Sequence, residues 1–110
     1  MIRAVLANVA VTDLHSAEQW YTRLFEREHD ARPMSGLIEW HLSETSGGQV
    51  WSQPDRAGHS AVVLDETDLD AAVTRLSAAE TGHDGPQPGG GARILQLADP
   101  DGNQVVLTGT

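Results

Sequence analysis

Thr12-Asp13-Leu14 and Thr67-Asp68-Leu69 stand 55 residues apart in a chain of 110. Each triplet follows an apolar, β-branched run that reads as a strand. Each also opens a stretch whose apolar residues recur at three- and four-residue steps and which runs through Thr-Arg-Leu. The aspartate in each triplet suits a helix N-cap, since its side chain accepts from the first free backbone N–H groups. A strand-then-helix unit met twice, at half the chain length, is an internal duplication. We therefore expect one domain over residues 1–110, with a first module over about 1–55 and a second over about 56–110.

Within the first module, Ile2 to Val11 reads as a largely buried strand. In the helix that follows, Leu14, Ala17, Trp20 or Tyr21, Leu24 and Phe25 form the apolar stripe, so the three aromatics are core residues first. Arg27 to Pro33 has room for a short strand, and Leu37 to Leu42 alternates as a strand with one wet face. Ser46-Gly47-Gly48 reads as a turn into a strand over Gln49 to Ser52, which Pro54-Asp55 ends. The second module repeats this with a strand over Gly58 to Leu64. A helix faced by Leu69, Ala72, Val73, Leu76 and Ala79 follows, which Gly82 closes. His83 to Gly91 reads as a loop, and its three closing glycines precede no helix N-terminus that would cradle a phosphate. The chain ends in a hairpin, with two Ile-, Leu- and Val-rich runs around Asp99-Pro100-Asp101-Gly102-Asn103.

Sixteen acids against seven arginines and lysines give a formal charge of -9, which repels nucleic acid and anionic membranes and favours cationic partners. There is no cysteine, hence no disulfide frame, thiolate nucleophile or cysteine zinc site, and the expected compartment is the cytoplasm. The apolar run Ala4 to Val11 is too short to span a bilayer and leads directly into a helix start.

Val11-Thr12-Asp13-Leu14 leading to Trp20-Tyr21 and Leu24-Phe25, then Ala57-Gly58-His59, then Leu97-Ala98-Asp99-Pro100-Asp101-Gly102-Asn103 give the chain its family likeness. In this order they resemble the vicinal oxygen chelate superfamily of glyoxalase I, extradiol dioxygenases and bleomycin resistance proteins. The resemblance implies an α+β fold of two tandem βαβββ modules, whose strands curl into a cup-shaped mixed sheet with helices outside. It also implies a homodimer. Enzymes of the family place four His, Glu or Gln ligands for a divalent metal inside the cup. The matching positions here are Leu6, His59 and Val106, with only an amide, Gln49 or Gln53, offered by the fourth strand. Leucine and valine have no donor atom, and stable sites need three or four donors, so neither a metal nor another cofactor is expected.

Strand alternation places Leu6, Asn8 and Ala10 on one face of the first strand and His59, Ala61 and Val63 on the matching face of the fifth. From the other strands His41 or Trp40, Trp51 or Gln49, and Arg93 or Gln96 contribute, depending on register. The candidate ligand-binding residues are thus His59, Trp51, Asn8, Gln49, Arg93, His41 and Glu39, the last also a candidate base. Each has a plainer reading. His59 can be a hydrogen-bonded core imidazole and His41 a solvent-facing one, Trp40 and Trp51 can pack in a core or dimer interface, and Arg93 can pair with a surface acid. Two functions follow. One is a metal-free binding protein for an organic or cationic natural product. The alternative is a glyoxalase- or dioxygenase-like enzyme with a non-standard site using His59, Glu39 or His41. A module that acts only through partners would instead show a filled cup.

Overall fold

A computed structural model describes all residues 1–110. The first half runs β1 (Val5–Val11), α1 (Leu14–Phe25), β2 (Ala31–Met34), β3 (Leu37–His41) and β4 (Ser46–Ser52). After a single 3-10 turn over Pro54–Arg56 come β5 (Ala61–Asp65), α2 (Leu69–Ala78), β6 (Gln87–Gly89), β7 (Ala92–Ala98) and β8 (Gln104–Gly109). Each half makes a four-stranded mixed sheet of the same order, β1-β4-β3-β2 and β5-β8-β7-β6. In both, the first and last strands lie parallel and the rest antiparallel. The architecture is α+β, two tandem βαβββ units whose sheets stay open, as the sequence led us to expect.

Helix α1 crosses β3 and β4, and α2 crosses β7 and β8, so one face of each sheet is covered and the other is left open. Ala17, Trp20, Tyr21 and Leu24 of α1 bury against Val9, Val11, Ile38, Trp40 and Val50, while Leu69, Ala72 and Leu76 of α2 bury against Leu95, Leu97, Val105 and Leu107. These belong to one continuous core. Asp13 and Asp68 cap the helices as their position in the repeated triplet implies, accepting from His15 N and Ala71 N.

Four local readings change. The first strand, expected to be largely buried over Ile2 to Val11, spans Val5–Val11 and buries only Val9, Ala10 and Val11. Ser46-Gly47-Gly48 is the start of β4, not a turn. A Cβ on Gly47 would come within 2.5 Å of the Trp40 carbonyl oxygen and 2.8 Å of the Leu6 side chain, so glycine is there because the chains approach closely. The loop before the hairpin contains β6, whose Gln87–Gly89 pairs with β7. Helix α2 ends at Ala78, two residues before Glu80 takes positive φ, rather than at Gly82.

The turn between β7 and β8 ties the two halves together. Asp99 Oδ1 accepts from the backbone N–H of Asp101 and Asn103 at 3.0 and 2.9 Å, which closes the turn. Its Oδ2 accepts from Tyr21 Oη and Asn103 Nδ2, both at 2.8 Å. Asn103, wholly buried, also donates to the Ala10 carbonyl and accepts from Ser60 N, each at 2.8 Å. Ser60 Oγ accepts from Ala10 N, and Asp101 Oδ2 accepts from Thr12 N. One five-residue turn thereby holds α1, the end of β1 and the start of β5 in fixed relation. Burial, reinforced by the Asp99 carboxylate, pushes the Tyr21 phenol far above its ordinary range, so it remains a hydrogen-bond donor.

Candidate functional site

The register settles which strand residues share the open faces. In the first sheet Asn8, Gln49, Glu39 and Ala31 lie in one row across β1, β4, β3 and β2. Leu6, Gly47 and His41 form the row on one side, and Ala10, Trp51 and Leu37 the row on the other. Trp51 and Gln49 are two residues apart and so share this face; no choice between them arises. Trp40 points the other way, wholly buried under α1 with its indole N–H donating to the Arg27 carbonyl.

Four of the seven candidates are linked directly. Asn8 Nδ2 donates to Gln49 Oε1 at 3.1 Å, Gln49 Nε2 donates to Glu39 Oε2, and His41 Nε2 lies 3.0 Å from Glu39 Oε1. The ionised carboxylate has no proton to give, so the histidine nitrogen is the donor. Hydrogen bonds from Gln49, and then from His41, hold the Glu39 carboxyl below its usual range. Asp30 accepts from His41 N and Arg27 from the far side reaches the His41 carbonyl, which fixes the backbone beneath this pair. Trp51 sits partly exposed beside the row, its indole N–H donating to Gln53 Oε1 at 2.8 Å.

The other two sequence candidates are elsewhere. His59 lies before β5, exposed. Arg93 stands on the helix-covered face of β7, where it pairs with Asp70 of α2 at 3.0 Å and donates to the Thr110 carbonyl. Gln96 takes the open face of that strand instead, in register with Val106 and Val63. The open face of the second sheet borders a cavity of about 590 Å³, whose lining includes His83, Asp84, Gln96, Ala98, Gln104 and Val106. Sequence reasoning missed Gln104, His83 and Asp84. The alternation of Gln104 and Val106 with buried Val105 and Leu107 was the available signal. His83 accepts from Gly85 N at Nδ1 and meets Ser77 Oγ at Nε2, tying this wall to α2.

A model described as the Glyoxalase/Bleomycin resistance protein/Dioxygenase superfamily matches residues 3–107. The chain belongs to this superfamily. Among solved structures, it is similar to a glyoxalase/bleomycin resistance protein from Catenulispora acidiphila, at 28% identity and a TM-score of 0.88 over 97% of both chains. TnmS3, an antibiotic binding protein from Streptomyces sp. CB03234, is 22% identical with a TM-score of 0.82, over 99% of this chain and 96% of its own. A bleomycin-binding protein complexed with bleomycin is 20% identical with a TM-score of 0.78, over 100% and 99%. No curated protein matches the chain.

The donor set does not fit the superfamily's metal. Leu6 and Val106 offer hydrocarbon, Gln49 is engaged with Asn8 and Glu39, and Gln53 is engaged with Trp51. Nowhere do three His, Cys, Asp or Glu side chains gather as a metal would require. No helix is long and apolar enough to cross a membrane.

Proposed function

We propose that this superfamily member is a metal-free binding protein that sequesters an organic natural product on the open faces of its sheets. The observation that carries the reading is the row Asn8–Gln49–Glu39–His41 beside Trp51, an ordered strip of polar groups next to an aromatic side chain, with hydrocarbon at Leu6 in the adjoining row. The binding-protein relatives support it. We read the working unit as a homodimer, because Leu6 and Val63 lie exposed on open faces that a second copy would cover, and the setting as cytoplasmic, in keeping with a cysteine-free chain. Nucleic acid is no partner of so acidic a chain.

A panel of antibiotics spanning charge and ring type, followed by thermal shift and tryptophan fluorescence, tests this. Trp20 and Trp40 are buried, so quenching by ligand reports Trp51. At least one class should raise the melting midpoint and quench; silence from every class overturns the proposal. Elemental analysis finding about one divalent ion per chain would revive the alternative enzyme of glyoxalase or dioxygenase type. That alternative draws on the Glu39–His41 pair, but a carboxyl held below its usual range is a weak base near neutrality. Sedimentation as a monomer at micromolar concentration would contradict the dimer.

A further inference from the structure

We infer that Glu39 and Trp51 form a subsite for an organic cation, a protonated amine or amidine carried on an apolar body. This rests on the binding-protein reading and deepens it by naming the ligand's chemistry. Glu39 faces Gln49 across the β3–β4 pair, and Trp51 lies two residues further along β4 on the same face. Diagonal neighbours of this kind are about 7 Å apart, within reach of long and aromatic side chains, so one organic cation can meet both the carboxylate and the indole.

The carboxylate is both held and unfinished. Each oxygen accepts one hydrogen bond, Oε2 from Gln49 and Oε1 from His41, which fixes its orientation. A carboxylate oxygen has two lone pairs, so each retains one for a donor arriving from the open side. The amide chain from Asn8 through Gln49 points its donors toward Glu39, so the row strengthens a fixed negative end instead of cancelling it. The Trp51 ring is held in turn by its bond to Gln53.

No arginine or lysine pairs with this carboxylate; its basic neighbour is His41, 3.0 Å from Oε1. The chain has no lysine, and β1, β3 and β4 carry no arginine. Arg32, on β2, reaches to Glu18 on α1, and Arg27 is bound to Asp30 and the His41 carbonyl. Arg75 pairs with Glu26, and Arg93 with Asp70 on the covered side of the second sheet. A chain of net charge -9 thus presents on this face one oriented carboxylate that no arginine or lysine neutralises and that keeps one lone pair on each oxygen beyond its bonds to Gln49 and His41.

The test uses phenethylamine and benzamidine as probes, against phenethyl alcohol as a neutral isostere and hydrocinnamate as an anionic one. Binding is followed on the full chain by Trp51 fluorescence and by NMR shifts of the Trp51 indole N–H and the Gln49 side-chain amide. The amines should bind saturably, at least about tenfold tighter than the alcohol, with both signals moving. Glu39→Gln should erase that preference while circular dichroism stays unchanged, and Glu39→Asp should keep part of it. Equal binding of amine and alcohol, absence of amine binding, an unchanged preference in Glu39→Gln, or signals that respond only to protein concentration, as for a face closed by a second copy, would each overturn the subsite. Neutral antibiotics that bind without any amine preference would sink this inference alone; silence from the whole antibiotic panel would sink the binding function with it.

Discussion

The chain contains two hydrogen-bonded clusters built around a carboxylate that accepts from a side-chain amide, and they differ in what is left over. At the hairpin turn, Asp99 and Asn103 are buried and each oxygen of Asp99 accepts two donors from the chain. On the first sheet, Glu39 keeps 13% of its side chain exposed and each of its oxygens accepts one. A saturated buried cluster holds elements in place; an unsaturated one at an open face has capacity for a guest. The same residue types therefore serve architecture in one place and recognition in the other, decided by burial and by the count of donors.

The largest effect should come from breaking the buried cluster. Asn103→Ala removes the partner of the Ala10 carbonyl, of Ser60 N and of one Asp99 oxygen at once, in a place water does not reach. We expect a loss of about 3 kcal/mol, from orphaned buried groups at about 1 kcal/mol or more each. For a domain of this size the melting midpoint should fall by about 12 °C. Tyr21→Phe is the milder cut, since Asp99 Oδ2 keeps its bond from Asn103, and should cost about 1–2 kcal/mol by urea denaturation. A Tyr21→Phe variant as stable as the parent would mean that the turn does not bind the two halves as described.

On the open face the ordering of effects reverses, with binding lost and stability little changed. Glu39→Gln should shift stability less than Tyr21→Phe, and the shift should depend on pH. Bonds from Gln49 and His41 hold the folded carboxyl below its ordinary value of 4.5, so the unfolded chain takes up the proton first. The contribution of Glu39 is then fully present above about that value and disappears as pH falls through the lower folded one. Urea midpoints of parent and variant should differ most near neutrality and converge in acid. A gap that widened on acidification would reverse the sign assigned to this carboxyl.

Most of the architecture was legible because it is written in periodicities. The repeated Thr-Asp-Leu caps, the 3.6-residue stripes and the flanked Asp-Pro-Asp-Gly-Asn turn each reflect a local physical demand. What failed was reading glycine by habit. Gly47 resembles a turn residue in sequence, yet it lies in a strand because the Trp40 carbonyl and Leu6 leave no room for a Cβ, a contact between distant segments that composition does not encode. The site was half legible for a related reason. Alternation alone puts Gln49 with Trp51 and sets Glu39 apart from Trp40, but which set faces the helix depends on what the helix buries. The pairing of Glu39 with Gln49 depends on register, which only the folded sheet reveals.

Arg93 gives the finest test of the division between faces. By charge alone it is an attractive ligand residue, and only its phase relative to Leu95 and Leu97 puts it under α2. There it meets Asp70, and the aspartate carboxyl is held below its ordinary range by that hydrogen bond, yet both partners are substantially exposed, so water screens the pair. Arg93→Ala should therefore leave amine binding and the melting midpoint unmoved within the error of either measurement. Weakened binding in this variant would place a covered-face residue in the recognition surface, and the assignment of recognition to the open face of the first sheet would have to be withdrawn.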